Sequence, residues 1–182
     1  MEREQSVRPA SFRRRARVIA AAATVGLVAC VSEETEPHAR ATSELVTNLL
    51  PLRGTNLAGA EFGEALPGEV NVHYTYPSSA EIDIFAAKGM TVFRLPFRWE
   101  RLQRSLDGAL DPGELARIDA LAVHAASKGA HLILDPHNYA RYNGELIGSP
   151  QVPAASFVDF WTRLATHFKT SSHVIFGLMN EP

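Results

Sequence analysis

The sequence predicts an α/β fold, a (β/α)8 TIM barrel truncated after its fourth strand, and two observations carry that expectation. From Leu52 onward, short β-branched or aliphatic runs alternate with helical stretches, as in parallel strands joined by crossover helices. The second and third units also repeat one another 40 residues apart: Ala87-Lys88-Gly89-Met90 matches Ser127-Lys128-Gly129-Ala130, and Pro96 matches Pro136. A doubly wound sheet is the alternative. The segment Arg53-Gly54-Thr55-Asn56-Leu57-Ala58-Gly59 lacks its dinucleotide fingerprint, which tilts the balance to the barrel.

The strand runs are Leu52–Leu57, Met90–Leu95, Ala130–Leu134 and His173–Met179, and the helical stretches are Ser78–Lys88, Glu114–Lys128 and Ala154–Phe168. Ser78-Ser79-Ala80-Glu81 reads as a capping box, and Asp111-Pro112 as an N-cap with a first-turn proline. Lys88-Gly89 and Lys128-Gly129 read as helix stops, a basic last turn followed by a glycine. Each strand is expected to be buried on both faces. In the third helix Phe157, Phe160, Trp161, Leu164 and Phe168 recur at three-to-four spacing, a core stripe rather than a ligand surface.

The N-terminal 49 residues read differently. The chain of 182 residues has a formal charge of −2, but residues 1–17 hold six Arg against two Glu. Beyond Cys30, 12 basic residues face 18 acidic ones, a balance that argues against nucleic acid as a partner. The apolar run Val18–Ala29 has twelve residues. That is about 18 Å of helix, too short for a hydrocarbon core of roughly 30 Å, and it suits a signal peptide. It ends in Leu27-Val28-Ala29-Cys30, which resembles a bacterial lipobox. An incidental cysteine beside an ordinary cleavage site is the plainer alternative. Cys30 is the only cysteine, so an intramolecular disulfide is excluded and lipidation explains its presence better. The expected organisation is a lipoprotein-type signal over 1–30, a polar tether over 31–49, and the N-terminal half of a barrel over 50–182. The protein is accordingly expected to be exported and held at a bacterial membrane through Cys30.

Chemistry in a barrel sits at the C-terminal ends of the strands. The second strand runs into Arg94 and Trp99, the third into Asp135, His137, Asn138 and Tyr139, the fourth into Asn180 and Glu181. A guanidinium within a buried strand requires an anionic partner, either structural or catalytic. His137 stands among polar strand-end residues, which favours a site over a satisfied core histidine. Asp135 is expected to take local backbone hydrogen bonds and is given no catalytic role. A carboxyl at the mouth of the barrel, as Glu181 would be, suits proton donation to a leaving oxygen. Asn180 would position it or hold a substrate hydroxyl. Tyr74, Tyr76, Trp99, Tyr139 and Tyr142 fall in loops on the same face and suit stacking against sugar rings. Asp135 and His137 alone are too few for a metal centre.

Four segments in order carry a family resemblance: Arg53–Gly63, Gly89–Phe97, Leu134–Gly144 and Val174–Pro182. Together they make the chain from residue 52 onward resemble glycoside hydrolase family 5, close to its bacterial and fungal endo-β-1,4-glucanases. The resemblance implies a (β/α)8 barrel that hydrolyses β-1,4-glucan without cofactor or metal, by a retaining mechanism with two glutamates. It matches Glu181 to the general acid/base, Asn180 to the neighbour that bonds the sugar 2-hydroxyl, Arg94 to the arginine that steadies the nucleophile, and His137 to a hydrogen-bonding pocket residue. The nucleophile's place in the family lies on a strand beyond Pro182, so the chain is expected to be an inactive N-terminal half. Another β-glycan, mannan or β-1,3-glucan, remains open as substrate, as does a non-catalytic carbohydrate-binding barrel at the cell surface.

Overall fold

The computed structural model describes residues 51–182; the signal, the lipobox cysteine and the tether all lie outside them. The chain runs β1 (Gly54–Asn56), α1 (Ser79–Ala87), β2 (Val92–Phe97), α2 (Trp99–Leu102), α3 (Pro112–Ser127), β3 (His131–Pro136), β4 (Arg141–Tyr142), β5 (Glu145–Leu146), α4 (Ala154–Phe168) and β6 (Val174–Phe176). Strands β1, β2, β3 and β6 form one sheet in that order, every pair parallel. This is the topology of consecutive βα units.

The start and stop signals act as their chemistry demands. The Glu81 carboxylate accepts the Ser78 backbone N–H at 2.6 Å, closing the first turn of α1. Asp111 accepts the N–H groups of Gly113 and Glu114 at 2.9 and 3.0 Å, and Pro112 opens α3. Gly89 and Gly129 take positive φ values of 82° and 68° just past their helices, a conformation in which a Cβ would be crowded.

The sequence alignment of Pro96 with Pro136 differs from the ladder, which pairs Pro96 with Asp135 and Phe97 with Pro136. Equivalent positions are thus staggered by one residue between neighbouring strands. A barrel of eight strands with a shear of about eight needs that stagger on average.

Alternation along the strands separates two faces. Phe93, Leu95 and Phe97 of β2 and Leu132 and Leu134 of β3 are fully buried, in one core with Ile82, Ile118, Leu121, Ala125, Phe160 and Leu164 from the helices. Each such side chain contributes about 1.5–3 kcal/mol relative to exposure. The expected stripe on α4 is present, with Phe160, Trp161, Leu164 and Phe168 buried and Phe157 packed against them. The other face carries Val92, Arg94, Ile133 and Ile175, and all four remain partly accessible. The expectation of burial on both faces therefore holds only for the helix side of β2 and β3.

The expected strand His173–Met179 is regular only over Val174–Phe176. Beyond it, the Gly177 N–H still donates to Leu134 O at 2.9 Å and the Asn180 N–H to Pro136 O at 3.0 Å. The chain thus keeps to the edge of β3 as far as Asn180.

Candidate active site

The ends of β2, β3 and β6 bring four predicted residues together. Arg94 Nη2 donates to Asp135 Oδ2 at 2.7 Å and to Asn180 Oδ1 at 2.5 Å, and Arg94 Nη1 donates to Asn56 Oδ1 at 3.2 Å. His137 Nδ1 lies 3.4 Å from Asp135 Oδ2 and 3.5 Å from Arg94 Nη2, while its Nε2 lies 3.0 Å from the Tyr139 hydroxyl. Arg94 thus has the anionic partner that a strand guanidinium demands. The partner is Asp135, which corrects the expectation of local backbone bonds. It is buried because Arg94 and His137 cover it, and it links the two residues. Asn56 is a member that sequence reasoning missed; the signal was a lone amide at the end of the first strand.

Asn180 is oriented by chemistry. A guanidinium can only donate, so the amide oxygen must face Arg94. The Asn180 Nδ2 is then left buried with no partner among the described residues, and buried donors of this kind mark a place for a missing acceptor. Glu181 follows at the exposed end of the cluster with φ of 42°. A left-handed conformation is uncommon for a residue with a Cβ.

The predicted sugar-binding residues divide. Tyr139 is 45% exposed beside His137, their ring centroids 5.2 Å apart, and alone among Tyr74, Trp99, Asn138, Tyr139 and Tyr142 it stays on the rim, while Tyr76 is partly buried against the core. Trp99 is fully buried in the one-turn helix α2: its Nε1 donates to Gln103 Oε1 at 2.8 Å and its ring packs on Phe157 and Phe160. Tyr142 is buried against Trp99, with its hydroxyl donating to Gln103 O at 2.9 Å. Burial, and then the charge of Glu100, push its phenol up to about 12. Tyr74 is buried too; its hydroxyl donates to Glu114 Oε1 at 2.8 Å, and burial with that carboxylate raises it to about 12. Asn138 is buried with its oxygen on the Trp99 N–H and its amide on Glu100 Oε2, at 2.8 and 2.7 Å. Trp99, Tyr142, Tyr74 and Asn138 are therefore supports behind the site and not surfaces for a ligand. Their loops do lie at the expected ends of the strands, but the side chains turn inward.

Those supports meet three further residues that sequence reasoning passed over. Arg101 is 1% exposed and donates to the carbonyls of Ala60, Phe62, Gly63, Ala65 and Pro67 at 2.6–3.4 Å. Its guanidinium lies 3.8 Å over the Tyr74 ring, a cation–π contact, and burial lowers its pKa from the usual arginine value. Gln103 joins Gly108 O to Asp159 Oδ2. Glu100 is the buried carboxylate beneath Asn138.

Comparison with known proteins decides the family. The family model for cellulase (glycosyl hydrolase family 5) matches residues 53–182. The chain belongs to glycosyl hydrolase family 5. Within that family it is 42% identical over 130 residues to a probable endo-beta-1,4-glucanase B of Aspergillus oryzae, covering 70% of this chain and 38% of that protein. An endo-beta-1,4-glucanase structure from Xanthomonas axonopodis pv. citri superposes with a TM-score of 0.69 at 48% identity, over 71% of this chain and 41% of the other. The endoglucanase Cel5A of Pseudomonas stutzeri, solved with cellobiose, superposes with a TM-score of 0.69 at 40% identity, over 72% and 40% of the two chains. The chain thus spans about two fifths of the length of these family 5 relatives. Its four parallel strands and helices are a partial (β/α)8 barrel of the family 5 type.

Proposed function

We propose that the chain is the part of a retaining endo-β-1,4-glucanase that supplies the general acid/base and half of the sugar-binding cleft. The observation that carries this reading is Asn180. Its oxygen is held by Arg94, and its Nδ2 is a buried donor without a partner among the described residues, next in the chain to an exposed carboxyl. That pairing suits a sugar hydroxyl on the amide and a glycosidic oxygen on Glu181. Arg94, fixed by Asp135, would present positive charge to the second carboxylate, and His137 with Tyr139 would line the pocket. Retaining hydrolysis needs two carboxyl groups about 5–5.5 Å apart. Of the buried carboxylates among the described residues, Asp135, Glu100 and Glu114 are each bound to donors of their own. The 182-residue chain is therefore expected to release no reducing sugar by itself.

A barrel completed with the segment of the Xanthomonas relative that this chain does not cover tests the reading. It is expected to cleave carboxymethylcellulose in preference to mannan and laminarin, with retained anomeric configuration followed by NMR. Preferential cleavage of mannan or laminarin would replace glucan as the substrate. Binding of all three without cleavage would make the domain a carbohydrate-binding barrel.

The proposal extends to the cell surface: residues 1–30 direct export, Cys30 takes the lipid, and 31–49 tether the barrel. Metabolic labelling with a fatty-acid analogue is expected to mark the chain and to fail on Cys30→Ser. Equal labelling of the two would remove the anchor.

A further inference from the structure

The loop that carries Tyr139 to His137 is held in an unfavourable path. Tyr139, Ala140 and Asn143 all take positive φ values, 52°, 56° and 47°, and Gly144 follows at 85°. Three residues with a Cβ in that region within five positions need an outside constraint. The hairpin β4–β5 supplies only two residues per strand.

The constraint comes from beneath. Glu100 is 2% exposed; its Oε2 accepts from Asn138 Nδ2 and its Oε1 from the Asn143 N–H, both at 2.7 Å. Asn138 Oδ1 in turn accepts the Trp99 N–H at 2.8 Å. Arg98 Nε lies 3.7 Å from Glu100 Oε2. The two oxygens of Glu100 therefore pin the loop at both ends of its left-handed stretch.

We propose that Glu100 is a positioning residue of the site, acting through Asn138 and Asn143 to set the Tyr139 hydroxyl on His137. It touches no reacting atom. Its place in catalysis rests on the glucanase reading above, but its effect on the loop does not.

Glutamine is the sharp probe of this role. Two buried donors, Asn138 Nδ2 and the Trp99 N–H, and one part-buried donor, the Asn143 N–H, face Asn138 Oδ1 and the two oxygens of Glu100. Gln at position 100 removes one acceptor and adds a donor, and turning the Asn138 amide over only moves the orphan to Trp99. In the 182-residue chain, Glu100→Gln is expected to speed exchange of the Asn143 amide hydrogen roughly tenfold or more. The His137 Nε2 resonance is expected to move to the position it has in Tyr139→Phe. The double variant should show no further movement. Ile118→Val, a core truncation remote from the loop, should weaken the fold and leave that resonance in place. If Glu100→Gln does not fold, Glu100→Asp keeps both acceptors one carbon short and should shift the resonance part of the way. A His137 resonance at its original position in a folded Glu100→Gln or Glu100→Asp chain would overturn the proposal. Such a result would leave the glucanase reading standing, because that reading is tested by hydrolysis.

Discussion

In the completed barrel, Glu181→Gln is expected to lower kcat on carboxymethylcellulose by roughly 10²–10⁴-fold, the usual contribution of a positioned proton donor. The amide keeps the size of the side chain and cannot protonate a leaving sugar. A dinitrophenyl cellobioside separates this loss from a general defect, because its leaving group departs without a proton. The variant should still give a burst of phenolate from that substrate. Slow turnover after the burst should be restored by azide, which needs no general base to attack the glycosyl-enzyme. Equal losses on both substrates would assign Glu181 a structural role, and full activity on cellulose would remove it as the acid. The Asn180 donor that lies buried without a partner among the described residues gives the same experiment a second arm. Asn180→Asp keeps an oxygen for Arg94 and loses the donor, so it should weaken the transition state while the fold holds.

Arg101→Leu is expected to cost roughly 3–5 kcal/mol, the range seen when a buried, multiply bonded charge is deleted. The guanidinium holds five carbonyls between Ala60 and Pro67, and leucine would leave the buried Ala60 acceptor unpaired and take the shared donor from the four part-buried ones. Urea unfolding of the 182-residue chain measures the loss, and limited proteolysis should show early cleavage between residues 60 and 68. Arg101→Lys keeps the charge under Tyr74 but reaches fewer carbonyls, so it should fall between the two. An unchanged urea midpoint for Arg101→Leu would mean that the loop is held by something else.

The order of strands and helices was legible because caps and stops are local chemistry. Ser78 with Glu81, Asp111 with Pro112, and the two Lys-Gly pairs each satisfy helix-end groups within a few residues. The polar members of the site were legible as well, apart from Asp135 and Asn56. Arg94, His137 and Asn180 are polar residues at the ends of apolar strands, and the parallel ladder brings such ends together. The direction of side chains was not legible. A strand-end position says which rim of the sheet a residue stands on, and α2 then turns Trp99 into the core, where Tyr142 and Asn138 follow it. Glu100, Arg101 and Gln103 were the least visible, since Trp-Glu-Arg-Leu-Gln reads as an ordinary solvated turn of helix. Their burial depends on loops whose bonded groups lie 34–43 residues away in sequence, and no local pattern encodes that. The hairpin β4–β5 went unread, although Asn143-Gly144, with its two positive φ values, is a signal for a tight turn.

Arg94, Asp135 and Asn180 stand on three successive strands of one ladder, or on its hydrogen-bonded continuation. The spacing between strands, about 4.8 Å, is therefore the ruler against which their side chains are set. Rim segments such as 59–77 and 140–153 can lengthen, shorten or change composition without moving that ruler. Change in the rim can thus proceed while the distances among Arg94, Asp135 and Asn180 are inherited unchanged from the backbone.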